Sequence, residues 1–318
     1  MLKSRLCIAF FAFAVGCAPA QKPLTDYVNP MLGTATLWDS VDLGFKPTKR
    51  TWGAEVFPGS ALPNAMVQVS PVTKFHSGAG YQYEDSVIYG FTHTNKGHWN
   101  LCHIPLLPVT GTPTPGDYCS PFSHERESAA PGYYQVFLDR YGIDAQLSST
   151  LRCAFHKYTY PAGAAPAVLA DLQRSNEHVR AWDIRKEGDN VFAGWQQTGE
   201  KMYFYAVANR PVTGIEPVVE GDREVRIVRF GEGDGALELR IGFSFVSEKN
   251  ARENLEAEML GKSFAEVRSE ATATWNDLLG RIRVEGGTER EKGLFYSSLY
   301  RSFLWPALRS DVNGEFTD

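Results

Sequence analysis

From Phe91 to Pro105 the chain reads Phe-Thr-His-Thr-Asn-Lys-Gly-His-Trp-Asn-Leu-Cys-His-Ile-Pro, the stretch where side chains able to do chemistry are densest. His93, His98, Cys102 and His103 carry the imidazole and thiol groups that bind zinc. No second compact ligand pair follows, so ordinary hydrogen-bonding histidines are expected and no metal site is assigned. Calcium wants oxygen donors, which these side chains do not offer. Trp99 sits among Lys96, His98 and Asn100. A sugar has an apolar C–H face and a rim of hydroxyls. An indole packs the face, while ammonium, imidazole and amide groups bond the rim. Trp99, His98, Asn100, Lys96 and His93 are therefore the candidate sugar contacts. The competing reading is that Trp99 packs into a core at a strand end.

Other constellations are weaker. Glu84 and Asp85 are adjacent, and neighbours on a strand point to opposite faces, so Asp85 is expected as a structural acceptor. A glycine-rich loop can cradle phosphate at a helix start. Gly231-Glu232-Gly233-Asp234-Gly235 instead joins two strand-like runs, so a hairpin connection is expected. No Gly-x-Ser-x-Gly elbow occurs, which leaves a serine hydrolase of that type without support.

The elements that must carry these residues are mostly strands. Runs rich in Val, Tyr, Phe and Thr recur between turn residues: 65–70, 133–138, 155–160, 202–207, 223–230 and 236–246. The 29 glycines, 18 prolines and 14 tyrosines of the 318 residues fit turn-rich β structure. Near Ser247 proline disappears and Glu, Ala and Leu increase. Phe264, Val267, Ala271, Trp275 and Leu278 step by three or four and share a helical face, with Gly261 dividing two helices. A strand-like run follows at Arg281–Glu285. Thr288 and Glu291 have capping-box spacing for a further helix, with Leu294, Phe295, Leu299, Phe303 and Leu304 on its apolar side. Asn313-Gly314 is a turn signal with nothing after it to turn into, so the chain reads as stopping at the opening of a helical domain.

The first residues read as an address. Lys3 and Arg5 precede the apolar stretch 6–15, and Ala18-Pro19-Ala20 fits a cleavage site before Gln21. Ala14-Val15-Gly16-Cys17 also has the pattern of a lipobox, with Cys17 as a lipid anchor. Either way the protein is expected outside the cytoplasm: secreted or periplasmic, or an outer-membrane lipoprotein. Cys102, Cys119 and Cys153 then remain, an odd number that allows at most one disulfide, and buried free thiols are expected. The formal charge of −5, with no basic block, argues against nucleic acid. No apolar run is long enough to span a bilayer, which argues against an integral membrane protein.

Several segments, in order and at consistent spacing, resemble glycoside hydrolase family 92. They are Tyr27-Val28-Asn29-Pro30-Met31-Leu32-Gly33-Thr34, the run 53–71 containing Phe57-Pro58-Gly59 and Met66-Val67-Gln68, and Gly80-Tyr81-Gln82-Tyr83 through Phe91-Thr92-His93-Thr94. Phe122-Ser123-His124-Glu125 with Pro131-Gly132-Tyr133-Tyr134 follows, then Arg152 with 155–161. The last is Phe295-Tyr296-Ser297-Ser298-Leu299-Tyr300-Arg301 with Pro306 and Ser310-Asp311-Val312-Asn313-Gly314.

The resemblance implies secreted, exo-acting α-mannosidases that remove terminal α-mannose from glycans with inversion and calcium assistance. It implies a two-sheet antiparallel β-sandwich, a helical linker and an (α/α)6 toroid. On that pattern 1–20 is a signal peptide, 21–247 the sandwich, 248–287 the linker and 288–318 the first helix of a truncated toroid. The family's acid and base carboxylates and most calcium contacts fall in the missing C-terminal toroid, so no catalytic residue is assigned. The sandwich lends a loop to the sugar pocket, which favours the Trp99 loop, and Gly33-Thr34 would offer backbone groups from the first loop. The chain departs from the commoner pattern in the 95–105 stretch, which is shorter and has no carboxylate. Val72 and Lys74 stand where Asp and Arg are common, which makes Lys74 a substituted cationic sugar contact. His124-Glu125 and His156 read as architecture. The partner implied is a mannose-containing glycan. A non-catalytic carbohydrate-binding module and a purely structural brace share the same sandwich and are the alternatives.

Overall fold

The computed structural model describes residues 22–37, 44–46, 56–96 and 99–317, with residues 95, 96 and 99 described by their backbone alone. The proposed leader, Cys17 and His98 lie outside the described residues. Two antiparallel sheets face each other. The first runs, in spatial order, Ser60–Ala61, Gln68–Val72, Gly90–Thr92, Leu106–Val109, Ala167–Ala170, Arg223–Phe230 and Val212–Glu220. The second runs Ala181–Lys186, Val191–Gln197, Lys201–Ala208, Leu237–Ser244, Cys153–Thr159, Ile143–Ser149, Tyr133–Leu138 and Glu127–Ala130. The β-rich runs expected as strands do form strands, and their burial alternates. In Lys201–Ala208 every second residue faces inward, and strand side chains alternate between faces. Val69, Phe91, Tyr134, Leu147, Leu169, Phe204, Ile227 and Ile241 fill the space between the sheets.

Gly231–Gly235 is not a hairpin. Arg223–Phe230 is already flanked on both edges in the first sheet, and Leu237–Ser244 on both edges in the second, so the loop carries the chain between sheets. The strand expected at 65–70 begins later, at Gln68, because Met66 and Val67 both donate to the Leu151 carbonyl instead of a neighbouring strand.

Helix α1 (Glu248–Glu258) and helix α2 (Phe264–Leu279) divide at Gly261 as expected. They cover the outer face of the second sheet, where Leu255, Met259, Phe264 and Val267 pack on Tyr133, Cys153 and Phe155. Helix α3 (Glu289–Ser302) starts with the capping box that Thr288 and Glu291 predict. Its buried side is the predicted one only in part: Leu304 is buried and Leu299 and Phe303 pack partly against the same cluster. Tyr296, Ser297 and Tyr300 face inward against Leu24, Val28, Phe57 and Trp275, while Leu294 and Phe295 are exposed. The Tyr296 hydroxyl finds partners at Ile282 O and Val284 N, both at 3.2 Å, and the Tyr300 ring packs on Trp275 with centroids 4.4 Å apart. Those two bonds also explain why 281–285 forms no strand: its backbone meets a side chain, not a sheet edge, and Ile282 and Val284 stay exposed. The Asn313-Gly314 turn does lead somewhere. It folds 310–315 onto α1, where buried Asp311 accepts from Ser244 Oγ (2.6 Å), Asn250 Nδ2 (2.8 Å) and Asn254 Nδ2 (2.7 Å). Arg152 ties the same segment to α1, bonding Ser310 O at 2.7 Å and Glu258 Oε1 at 2.6 Å.

Candidate functional site

The chemically dense stretch emerges where strand Gly90–Thr92 ends. A short hairpin pairs Asn95 with Asn100 and Lys96 with Trp99. Its base is held rigidly by polar groups. Asn100 is fully buried, and its Oδ1 accepts from Cys102 N at 2.7 Å. Asn100 N donates to Gly78 O at 2.9 Å, and Asn100 O accepts from Asn176 Nδ2 at 2.5 Å. Ser175 Oγ bonds Leu101 O at 2.6 Å, and Gln196 Oε1 receives Ile104 N at 2.8 Å. These bonds hold Cys102 and Ile104 at φ +53°. Neighbouring His76, also left-handed at φ +60°, has its N–H on Asn176 Oδ1 at 2.6 Å. Such left-handed non-glycine residues cost energy and gather at functional sites when the surroundings hold them. Gly80, at φ +76°, lies so near that a Cβ there would meet Asn100 Nδ2 at 2.6 Å.

Three loops therefore meet: 73–80, 94–104 and 171–181. An open cleft of about 720 Å³ is lined by His76 of the first loop and, from the third loop and its surroundings, by Arg174, Ser175, Glu177, His178, Arg180 and Trp182, among others; Ser175 also bonds the hairpin base at Leu101 O. Arg174 is engaged by the protein itself. Its guanidinium lies 5.2 Å from the Phe75 ring and 5.4 Å from the Tyr89 ring, and donates to the Tyr118 hydroxyl at 3.3 Å.

The sequence-derived contacts divide. Lys96 and Trp99 belong to the hairpin, and Lys74 is exposed on the adjoining 73–80 loop. His93 is not at the surface. It is fully buried, its Nε2 is 2.9 Å from His156 Nε2, and its ring is 4.5 Å from Phe243. Burial pushes His93 down to about 3, so it sits in the core as a neutral ring. Asn100 is likewise a buried bracket with its amide spent on the loop. Thr34 is buried in a turn on Met31 O at 2.8 Å, and that turn joins Tyr83 N and the Arg301 guanidinium of α3, not the hairpin. Asp85 accepts from Thr73 Oγ1 at 2.8 Å, the structural role expected of it. His124 stacks on Tyr83 at 3.9 Å and meets Glu127, a buried carboxylate that also accepts from Tyr81 and Tyr134. His156 bonds the Tyr158 hydroxyl at 2.6 Å. Cys102 and Cys153 are buried free thiols, and Cys119 is a half-buried one.

His103 has both ring nitrogens on hydroxyls, Nδ1 to Thr94 at 2.8 Å and Nε2 to Thr198 at 3.0 Å. Burial pushes it down to about 4 against the pull of Glu177 and Glu200. Among the described residues no three His, Cys, Asp or Glu side chains converge to hold a metal. Calcium needs six to eight oxygens, so these side chains do not build its site. His76, Glu177, His178 and Thr198 escape sequence reading. The only local signal is the polar bunching of Arg174-Ser175-Asn176-Glu177-His178 after a strand-like run.

The Glycosyl hydrolase family 92 N-terminal domain matches residues 27–254, and the Glycosyl hydrolase family 92 catalytic domain matches residues 250–318. A family GH92 alpha-mannosidase of Bacteroides thetaiotaomicron superposes with a TM-score of 0.82 at 26% identity, covering 93% of this chain and 43% of its own. A family GH92 inverting mannosidase of the same organism gives 0.78 at 25%, covering 92% and 41%. An uncharacterized secreted glycosidase of Arthroderma benhamiae is 25% identical over 91% of this chain and 42% of its own length. The chain thus spans about two fifths of these relatives.

Proposed function

The chain belongs to glycosyl hydrolase family 92, and from that premise we propose that it forms the sandwich wall of a secreted exo-α-mannosidase that removes terminal α-linked mannose from glycans with inversion. The observation that carries this reading is the match of both family domains in succession over 27–318, on the fold of solved family mannosidases. The polar hairpin loop fits the role. It stands on a base locked by Asn100, Ser175 and Asn176, and Ser175 also lines the neighbouring cleft. In this reading Trp99 supplies the ring for a sugar's apolar face, and Lys96, His98 and Lys74, by their residue types, supply donors. The secreted relative supports export. Among the described residues, no helix is long and apolar enough to cross a membrane.

Inversion needs an acid that protonates the leaving oxygen and a base that activates water, roughly 6.5–9.5 Å apart. The resemblance assigns that pair, and most calcium contacts, to the part of the family toroid that these 318 residues do not match. No step is therefore routed through the side chains described above. The expected result is that the 318-residue chain binds α-mannosyl-terminated glycans on an array, loses that binding in Trp99→Ala, and releases no mannose with or without calcium. Retention of glycans without terminal α-mannose, or a blank array, would contradict the proposal. Calcium-dependent mannose release by this chain would overturn the placing of the chemistry in the toroid.

A further inference from the structure

Glu177 stands in the cleft beside the hairpin, at the outer end of a hydrogen-bonded chain that starts in the core. Thr94 Oγ1 lies 2.8 Å from His103 Nδ1, His103 Nε2 lies 3.0 Å from Thr198 Oγ1, and Thr198 Oγ1 lies 2.6 Å from Glu177 Oε2. Thr94, His103 and Thr198 are buried, while the Glu177 side chain is 39% exposed. The directions of the bonds follow from chemistry. A carboxylate only accepts, so the Thr198 hydroxyl donates to Glu177. The Thr198 oxygen then accepts from His103 Nε2–H. Its ring is neutral, so His103 Nδ1 accepts from Thr94. Every hydrogen in the chain points outward and ends on Oε2. Among the described residues Oε1 has no such partner.

A surface carboxylate needs no buried relay to remain soluble. What the relay adds is a fixed orientation. The cleft also contains Asp222, Arg174 and Arg180, so its formal charges balance and it favours neither an anion nor a cation. A neutral polyol suits it: hydroxyls that donate to Glu177, and ring or hydroxyl oxygens that accept from His76, His178 and Arg180.

We propose that Glu177 is a specificity-determining sugar-hydroxyl acceptor in this cleft, with Thr198 and His103 as its positioning residues. The inference rests on the glycan-facing role of the hairpin and assigns a second contact beside it. Hydrogen bonds to a charged acceptor are among the stronger ones, and a site built to receive a hydroxyl rejects sugars lacking it.

The test is titration of the isotope-labelled 318-residue chain with α-linked mannobiose, followed through backbone amide resonances. Saturable shifts are expected at 99–103 and 175–180. Glu177→Gln, at a partly exposed position, should weaken binding roughly tenfold. Thr198→Val should weaken it several-fold and Thr198→Ser should restore it, which a merely structural threonine would not require. If the 99–103 amides still respond but Glu177→Gln binds like the wild type, the role of Glu177 is overturned and the hairpin reading stands. If no amide responds to the sugar, both fall together.

Discussion

Acid is the perturbation that tests the buried histidines most sharply. His93 is held down to about 3 and His103 to about 4, in each case chiefly by burial, and burial holds His156 well below its ordinary value. In the unfolded chain each imidazole titrates near 6.5. Above that pH both states are neutral and the contribution to stability is complete. As pH falls below it, only the unfolded chain takes up protons, so stability is lost progressively towards the folded values. At pH 5 the loss is about 2 kcal/mol per histidine, hence about 4 kcal/mol for His93 and His103 together, and His156 adds in the same direction. Asp171 acts oppositely: burial raises it, so its folded form takes the proton first and its contribution grows as pH falls. Thermal unfolding between pH 7.5 and 5 should therefore show a midpoint falling by roughly 10 °C. Proton resonances of His93 and His103 should keep neutral-ring shifts down to pH 5. A midpoint flat over that interval, or an imidazolium resonance for either ring at pH 6, would refute the buried neutral pair and the directed relay through His103.

Two further outcomes test the joints behind the site. A Cβ on Gly242 would sit 2.1 Å from Ala251 O and 2.8 Å from Leu255 Cβ, so Gly242→Ala must lift α1 from the sheet; a loss of about 3 kcal/mol in denaturant unfolding is expected. Asp311→Ala leaves Ser244, Asn250 and Asn254 without their shared acceptor, and should cost about 3 kcal/mol and make 306–317 the first site of limited proteolysis.

Much of the sandwich is legible in the sequence because its strands are short β-rich runs between turn residues, as in Met202–Val207 and Tyr133–Leu138, though which of their apolar side chains face inward is not. Helix starts are legible where a short-range bond fixes them, as at Thr288 with Glu291. The failures share a cause. Leu294 and Phe295 are more apolar than Tyr296 and Tyr300, yet the tyrosines face inward because the N-terminal turn and the 281–285 backbone come to meet them. His93 and Asn100 read as surface polar residues until partners arrive from His156 and Asn176, which are 63 and 76 positions away. Thr198, 95 positions from His103, is invisible to any local pattern for the same reason. Periodicity reports a residue's own preference. It does not report which distant donor will satisfy it.

The most direct measurement follows, by proton NMR, the anomer of the sugar first released when the longest product of the reading frame carrying this chain acts on an α-mannosyl disaccharide with calcium. The account predicts mannose, appearing first as the β-anomer and relaxing to the equilibrium mixture. Initial α-mannose, release of another sugar, or no release at all would contradict it.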